Sequence, residues 1–202
     1  MGMGGPRQFG IDAAQVPSVI ASIGDDDFID FQGIHIFSGS QNLNAQAIVD
    51  NFDKTVGYGL DAGAHMNVPM NVINIGGGLG IPYFSHEKDL DLYTIGSGLG
   101  GILKRHAGRL NDTRIRMELG RYLVGECGIY LCRVLYRKTS HGRVFLVTDG
   151  GMHHHLAASG NLGQSLARRP MPLTTANRLG GVREKVTVVG PLCTPLDTFG
   201  TV

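Results

Sequence analysis

A run of three glycines follows a short apolar segment and is the stretch of the chain best suited to bind an anion. Residues 71–75 alternate in polarity and lead directly into Gly76, Gly77 and Gly78. Residues without Cβ allow backbone N–H groups to turn inward and to approach a phosphate closely. A helix that begins downstream would add its own N–H groups and partial positive charge. The pattern predicts a strand that ends in a phosphate-binding loop, although most glycine runs form only turns.

The composition excludes several classes of protein. The 202 residues, of which 42% are hydrophobic, are enough to bury a core in one or two domains. The formal net charge is +1 and the longest basic run is Arg168-Arg169, so the sequence indicates neither a nucleic-acid-binding nor a membrane-binding surface. No apolar stretch approaches the roughly 18 residues of a transmembrane helix, and no basic and then apolar leader opens the chain. We therefore expect a soluble cytoplasmic protein.

Cysteines and histidines are the other residue types with potential chemistry. The chain has three cysteines, which are Cys127, Cys132 and Cys193. Their odd number and their spacing argue against a disulfide framework or a zinc site and predict reduced thiols. The adjacent histidines at 153–155 would point to alternate faces of a strand, which is unsuitable for a shared metal ion. No metal site is predicted.

Strands and helices are expected to alternate in residues 1–124. The periodicity of apolar residues predicts a short amphipathic segment at 16–23, strands at 31–37, 72–75 and 113–119, and helices at 43–62 and 90–110. Such alternation is typical of an α/β protein with a parallel sheet. Three strand–helix units are too few to close an eight-stranded barrel, so this domain is predicted to be part of a TIM-like barrel.

The pattern changes in residues 125–202, where a second domain is expected. Residues 129–136 and 143–148 are rich in β-forming side chains and are joined by a hairpin signal at 138–142. A further strand is predicted at 185–190. These strands indicate part of an antiparallel β domain. Residues 191–202 carry no strand signal, and both ends of the chain look cut.

Four motifs occur in an order that is specific when they are taken together. They are Gly33-Ile-His-Ile-Phe-Ser-Gly-Ser-Gln41, the loop at 76–83, Glu118-Leu-Gly-Arg121 and Gly190-Pro-Leu-Cys193. The set resembles the ornithine/diaminopimelate decarboxylase family of fold-type III pyridoxal-phosphate enzymes. This resemblance implies an alanine-racemase-like barrel followed by a β domain, pyridoxal 5′-phosphate as cofactor, and a homodimer. Residues 147–160 resemble most the branch associated with exosortase systems and carrier-linked amino-acid decarboxylation.

The resemblance also implies a role for Glu118, which would pair with the pyridine nitrogen of the cofactor and keep it protonated. The alternative is an ordinary strand-end carboxylate that pairs with Arg114, Arg116 or Arg121. Phe37 stands where relatives place a histidine over the cofactor ring. A phenyl ring can stack but cannot donate a proton, and His35 is not assigned that role.

The phosphate group would be held, by the same resemblance, at the glycine loop. The backbone N–H groups of residues 76–78 would bind it, with the Ser40 hydroxyl and the Arg121 guanidinium adding two further donors. A helix N-cap ahead of Leu43 is the alternative role for Ser40.

Cys193 resembles the cysteine that reaches across the dimer and reprotonates the substrate carbon in the family. A thiol suits proton donation because its pKa lies near neutrality, but a small buried apolar residue is the alternative. Relatives often follow this cysteine with an acid that meets a distal amine of the substrate. Here Thr194 and Pro195 intervene before Asp197, the candidate substrate-binding residue, so this loop should not favour lysine-like or ornithine-like substrates.

The lysine that links covalently to the cofactor in the family has no counterpart in this chain. The five lysines are Lys54, Lys88, Lys104, Lys138 and Lys185. None lies in the desolvated strand environment that would activate an amine. The sequence therefore predicts part of a pyridoxal-phosphate-dependent amino-acid decarboxylase. The alternatives are a non-catalytic truncated product with a residual phosphate-binding surface, or another barrel enzyme with this cofactor, such as a racemase.

Overall fold

The structure, a computed structural model, describes residues 8–23, 26–160, 171–178 and 180–202. It divides into two compact units. The first comprises Met1–Pro82 and Lys88–Glu126, and the second comprises Tyr83–Glu87 and Cys127–Val202.

The first unit is an α/β layer built on a small parallel sheet. Its elements are α1 (Val16–Ile23), β1 (Gly33–His35), α2 (Ala45–Met66), β2 (Val72–Gly77), α3 (Leu92–Leu110), β3 (Arg114–Glu118) and α4 (Arg121–Val124). The strands lie in the order β1-β2-β3, and both pairs are parallel. The predicted alternation of strands and helices is confirmed.

The core of this unit lies between the sheet and helices α2 and α3. Phe52 and Val56 of α2 and Ile73 of β2 are almost fully buried, and Ile102 adds the apolar face of α3. This packing follows the apolar periodicity of the helices, because residues three or four apart share one helical face. The central strand β2 therefore packs on a buried core formed with α2 and α3, and this packing holds its carboxyl end in place.

The start of α2 decides one question left open by the sequence. The N-cap of this helix is Asn44, whose side chain accepts a hydrogen bond from the N–H of Ala47 at 3.0 Å. Ser40 is therefore not the N-cap, and that alternative was wrong. The helix ends at Asn67, which adopts the left-handed conformation with φ of 51°.

The second unit contains a four-stranded sheet. Its elements are β4 (Val134–Ser140), β5 (Arg143–Thr148), a short 3₁₀ helix (Leu156–Ser159), β6 (Val186–Val189) and β7 (Thr198–Thr201). The β4–β5 and β6–β7 pairs are antiparallel, but β5 and β6 are parallel. The sheet is thus mixed, whereas the sequence predicted an antiparallel one. A long connection separates β5 from β6, and a long crossover permits the parallel pairing that a hairpin forbids.

Two further strand predictions need correction. Strand β4 extends to Ser140, so a two-residue turn of His141 and Gly142 joins it to β5. Both turn residues have positive φ, at 48° and 75°, as tight hairpin turns of the primed types require. Strand β7 was not predicted at all, and it pairs with β6 along the edge of the sheet. Among the described residues, no helix is both long and apolar enough to cross a membrane.

Candidate functional site

A cavity of about 290 Å³ opens at the carboxyl ends of the three parallel strands. It is lined by Phe37, Ser40, Gln41, Gly77, Gly78, Leu79, Glu118, Leu119, Gly120 and Arg121. Parallel α/β sheets bind their ligands outside the carboxyl ends of the strands. The fold therefore gathers in one place every predicted cofactor-binding residue except Gly76.

A larger cavity, of about 610 Å³, lies at the opposite end of the same sheet. Its lining comes from the ends of α2 and α3 and from the residues that precede β2 and β3. This is the amino end of the strands, and in such folds the residues at that end contribute to stability rather than to catalysis. The smaller cavity is the better candidate despite its size.

The glycine loop is shaped by close approaches between backbones. Gly76 and Gly78 have φ of 70° and 83°, a region that side chains disfavour. A Cβ on Gly76 would lie 2.6 Å from the carbonyl oxygen of Ile36. A Cβ on Gly77 or Gly78 would overlap a backbone carbonyl oxygen, that of Glu118 or Gly39 respectively. The loop therefore requires glycine at all three positions.

The three glycines do not present their N–H groups equally. The N–H of Gly76 donates to the side-chain oxygen Oδ1 of Asn74 at 2.9 Å. Gly77 and Gly78 line the cavity. Of the three glycines, Gly77 and Gly78 line the site, whereas Gly76 shapes the turn that precedes them.

Glu118 occupies the end of β3 and is held from two sides. Its Oε1 accepts a hydrogen bond from Asn74 Nδ2 at 2.8 Å, and its Oε2 lies 3.4 Å from His35 Nε2. These contacts come from β2 and β1, the other two strands of the sheet. The Glu118 side chain is nevertheless 60% exposed, so the carboxylate faces the open cavity. His35, which the sequence left without a role, lies against the second oxygen of Glu118.

Arg121 begins α4 and is positioned by Gln41. Its Nη1 donates to Gln41 Oε1 at 3.1 Å, and the same amide bonds to both the N–H and the carbonyl oxygen of Ile81. Gln41 has φ of 54°, an unusual conformation for a residue with a side chain. The sequence did not single out Gln41 or Asn74. The available signal was that Gln41 ends the first motif and that Asn74 lies in the polar and apolar run that leads into the glycine loop.

The donor set of the cavity fits pyridoxal phosphate. Ser40, Arg121 and the glycine loop offer a hydroxyl, a guanidinium and bare backbone, which suit a phosphate group. Glu118 offers a carboxylate to a protonated pyridine nitrogen, and Phe37 offers an aromatic face to the ring. Phe37 is 66% exposed, so its ring is available for stacking.

In the second unit, Cys193 lies in the loop between β6 and β7 and is exposed. The alternative of a buried apolar cysteine is therefore wrong. The loop is organised by Asp197, which is only 2% exposed. Asp197 Oδ1 accepts from the N–H of Met152 at 2.7 Å, and Oδ2 accepts from the N–H of Leu192 at 2.8 Å.

Burial changes the interpretation of Asp197. The sequence made it a candidate substrate contact, but both oxygens bond to backbone N–H groups of its own unit. The carboxylate also packs so closely on Gly151 and Gly190 that a Cβ at either glycine would collide with it. In this geometry Asp197 holds the Cys193 loop.

The histidines at 153–155 lie in a turn before the 3₁₀ helix, not on the strand that the sequence suggested. Nδ1 of His154 lies 3.2 Å from the hydroxyl of Tyr130. Burial raises the pKa of that Tyr130 hydroxyl, and the nearby charges of Cys132 and Asp149 raise it further. Within the described part of the chain, no group of three or more histidine, cysteine or acidic side chains could hold a metal ion.

Comparison with known families decides the identity of the chain. The family described as pyridoxal-dependent decarboxylase, C-terminal sheet domain, matches residues 19–202. The chain belongs to this family. The match includes the α/β unit as well as the mixed sheet, and the family depends on pyridoxal, as the cavity chemistry indicates.

Curated relatives support the same assignment. An L-glutamyl-[BtrI acyl-carrier protein] decarboxylase of Niallia circulans is 42% identical over 98% of this chain and 47% of its own length. A diaminopimelate decarboxylase of Thermoplasma acidophilum is 31% identical over 98% of this chain and 45% of its own length. The chain therefore spans about half the length of the curated relatives it matches.

Solved structures show the same fold. A diaminopimelate decarboxylase from M. jannaschii has a TM-score of 0.77 at 20% identity and covers 96% of this chain and 43% of its own. The diaminopimelate decarboxylase from Helicobacter pylori, complexed with L-lysine, has a TM-score of 0.70 at 25% identity and covers 96% of this chain and 46% of its own. These neighbours are fold-type III decarboxylases, so the α/β unit and the mixed sheet belong to that architecture.

Proposed function

We propose that the full-length protein carrying this chain is a cytoplasmic, pyridoxal-phosphate-dependent amino-acid decarboxylase. The observation that carries the proposal is the cavity that combines Glu118, Arg121, Phe37 and the glycine loop. The first unit would be part of an alanine-racemase-like barrel, and the second would be part of the β domain. Their boundary would lie close to residue 124.

The chain's own residues would bind and orient the cofactor. Ser40, Arg121 and the loop of Gly77 and Gly78 would hold the phosphate group. Phe37 would pack on the ring and exclude water from one face. Glu118 would hold a proton on the pyridine nitrogen, because a carboxylate stabilises a neighbouring positive charge. When bound, the cofactor supplies a sink for the electron pair that the departing carboxylate leaves.

Cys193 would complete the reaction by giving its thiol proton to the substrate carbon. Its exposure on the β6–β7 loop leaves the thiol accessible for proton donation. We propose a homodimer in which this loop reaches the cavity of the partner subunit.

The substrate class follows from the residues next to Cys193. Thr194 and Pro195 carry no charge and cannot pair with a distal ammonium group. The relative at 42% identity acts on a glutamyl group linked to an acyl-carrier protein. We propose a carrier-linked aminoacyl substrate without a distal amine, rather than free lysine or ornithine.

Glu118→Gln in the full-length protein tests the activity. The variant should retain bound cofactor but release CO₂ about 100-fold more slowly, because loss of one preorganised charge contact typically has an effect of this size. Glu126→Gln is the matched control, since Glu126 is exposed and does not line the cavity. Turnover of the Glu118 variant equal to that of the control would remove Glu118 from the site.

A substrate competition tests the proposed class. Glutamyl-carrier protein, free glutamate, free lysine and free ornithine are offered to the wild-type enzyme in parallel, and CO₂ release is measured. We expect the carrier-linked substrate to give the highest kcat/KM. The proposal would be contradicted if free lysine or ornithine gave the highest kcat/KM and this preference were lost when the loop at 190–197 was exchanged.

A further inference from the structure

Asn74 lies in the central strand β2 and bonds to two groups of the candidate site at once. Its Nδ2 donates to Glu118 Oε1 at 2.8 Å, and its Oδ1 accepts the N–H of Gly76 at 2.9 Å. The side chain is half-buried. A single carboxamide therefore connects the carboxylate at one side of the cavity to the first residue of the glycine loop.

The orientation of this carboxamide is set by its partners. The Gly76 N–H can only donate, and an ionised carboxylate can only accept. A flipped amide would place its NH₂ group against the N–H and its oxygen against the carboxylate. The observed orientation is therefore the one in which the NH₂ group donates to Glu118 and the amide oxygen accepts from Gly76.

The neighbouring strand completes the arrangement. His35 lies beside Asn74 in the β1–β2 register, and its Nε2 contacts the other oxygen of Glu118. Each oxygen of the carboxylate thus has its own partner, one from β1 and one from β2. Two contacts from two strands restrict the rotation of a side chain that is otherwise largely exposed.

We propose that Asn74 is a positioning residue that couples Glu118 to the glycine loop, so that the carboxylate and the phosphate cradle keep a fixed relative geometry. This inference rests on the proposed function. An asparagine that served only the turn would need just its oxygen, which Gly76 uses. The amide NH₂ group would then be dispensable, and aspartate would serve equally well.

That difference defines the test, which uses the full-length protein. Asn74→Asp keeps the acceptor for Gly76 but replaces the donor with a second carboxylate beside Glu118. Two carboxylates in contact share a proton, and this raises the pKa of one of them. Asn74→Leu removes both bonds at similar size. Asn71→Asp is the matched control, because Asn71 is exposed and precedes the same strand at its other end.

The expected results distinguish loss of the amide NH₂ group from loss of the whole amide. In the aspartate variant, the shared proton should neutralise Glu118 at low pH. Turnover at pH 6 should fall about tenfold and recover at alkaline pH, when both carboxylates ionise. The absorbance of the bound cofactor should show the same new transition. The leucine variant should bind pyridoxal phosphate at least about tenfold more weakly, without a new transition.

The outcomes are distinguishable from failure of the proposed function. Wild-type protein that binds no pyridoxal phosphate would overturn both proposals. Active wild-type protein with an Asn74→Asp variant that keeps the wild-type pH profile, absorbance and turnover would overturn the role of Asn74 alone. If circular dichroism shows that the aspartate variant is unfolded, the leucine variant decides, and unchanged cofactor affinity in it would equally overturn the inference.

Discussion

The buried carboxylate of Asp197 should be one of the strongest local determinants of stability in the second unit. It accepts backbone hydrogen bonds from Met152 and Leu192, which belong to two segments 40 residues apart in the chain. Asp197→Ala would leave both N–H groups without their partner. Because Asp197 is only 2% exposed, water cannot readily replace the carboxylate without opening the loop.

The magnitude follows from the two bonds. A hydrogen bond to a charged group contributes roughly 1.5–3 kcal/mol, so two such bonds give a loss of at least about 3 kcal/mol. A loss of that size raises the equilibrium constant for local opening about 100-fold. Asp197→Asn keeps one acceptor but turns an NH₂ group toward the other N–H, so about half of this effect is expected.

Hydrogen–deuterium exchange, followed by mass spectrometry of the full-length protein, measures this opening directly. Peptides that contain Met152 and Leu192 should exchange about 100-fold faster in the alanine variant. Asp149→Ala is the matched control, because Asp149 accepts one backbone bond, from Arg133 at 2.8 Å, at an exposed site. Exchange in the Asp197 variant that matches this control would refute the assignment of Asp197 as the residue that holds the loop.

Three further predictions concern single side chains. Gln41→Gly should relieve the positive φ but remove the side-chain hydrogen bond to Arg121. The affinity of the full-length protein for pyridoxal phosphate, measured by titration, should therefore fall about tenfold. Hydrogen bonds from the Thr94 side chain and backbone lower the pKa of Asp91. This cap therefore stabilises α3 at any pH above the ordinary pKa of aspartate, and the stabilisation is lost as the pH falls through the lowered pKa. Asp91→Asn should remove that acid sensitivity from the circular dichroism signal. His141→Asn should raise the free energy of unfolding by about 0.5–1 kcal/mol in chemical denaturation, since asparagine tolerates positive φ better than histidine at a two-residue hairpin turn.

The helices could be predicted from the sequence because their apolar periodicity is local. Helices α2 and α3 were both found, and their true starts are set by the side-chain caps Asn44 and Asp91. Strand β7 was missed because Thr198–Thr201 is only four residues long and contains a glycine, which interrupts its β-forming residues. Its structure comes from pairing with β6, a contact that a local pattern does not contain.

In the candidate site, too, the residues with a local signal were predicted and those that depend on distant contacts were missed. Motifs pointed to Glu118 and Arg121 because their residue types match the chemistry of the cofactor. Asn74 and Gln41 were missed because their partners lie 44 and 80 residues away in the chain, at Glu118 and Arg121. Asp197 was assigned to substrate because its charge is visible in the sequence, whereas its burial is not.

The backbone packing of the glycine loop has a consequence for how this motif should vary among copies of the gene. Gly76, Gly77 and Gly78 each lie against a backbone carbonyl oxygen of the segment after β1 or of the end of β3, so alanine at any of them would force these backbones apart. Selection for folding alone would then preserve all three glycines, even in a descendant that no longer turns over substrate. Drift after loss of activity should first affect the exposed side chains of Glu118 and Phe37, which pack little and contribute little to folding. Those two positions, rather than the glycines, would distinguish a working enzyme from its inactive copy.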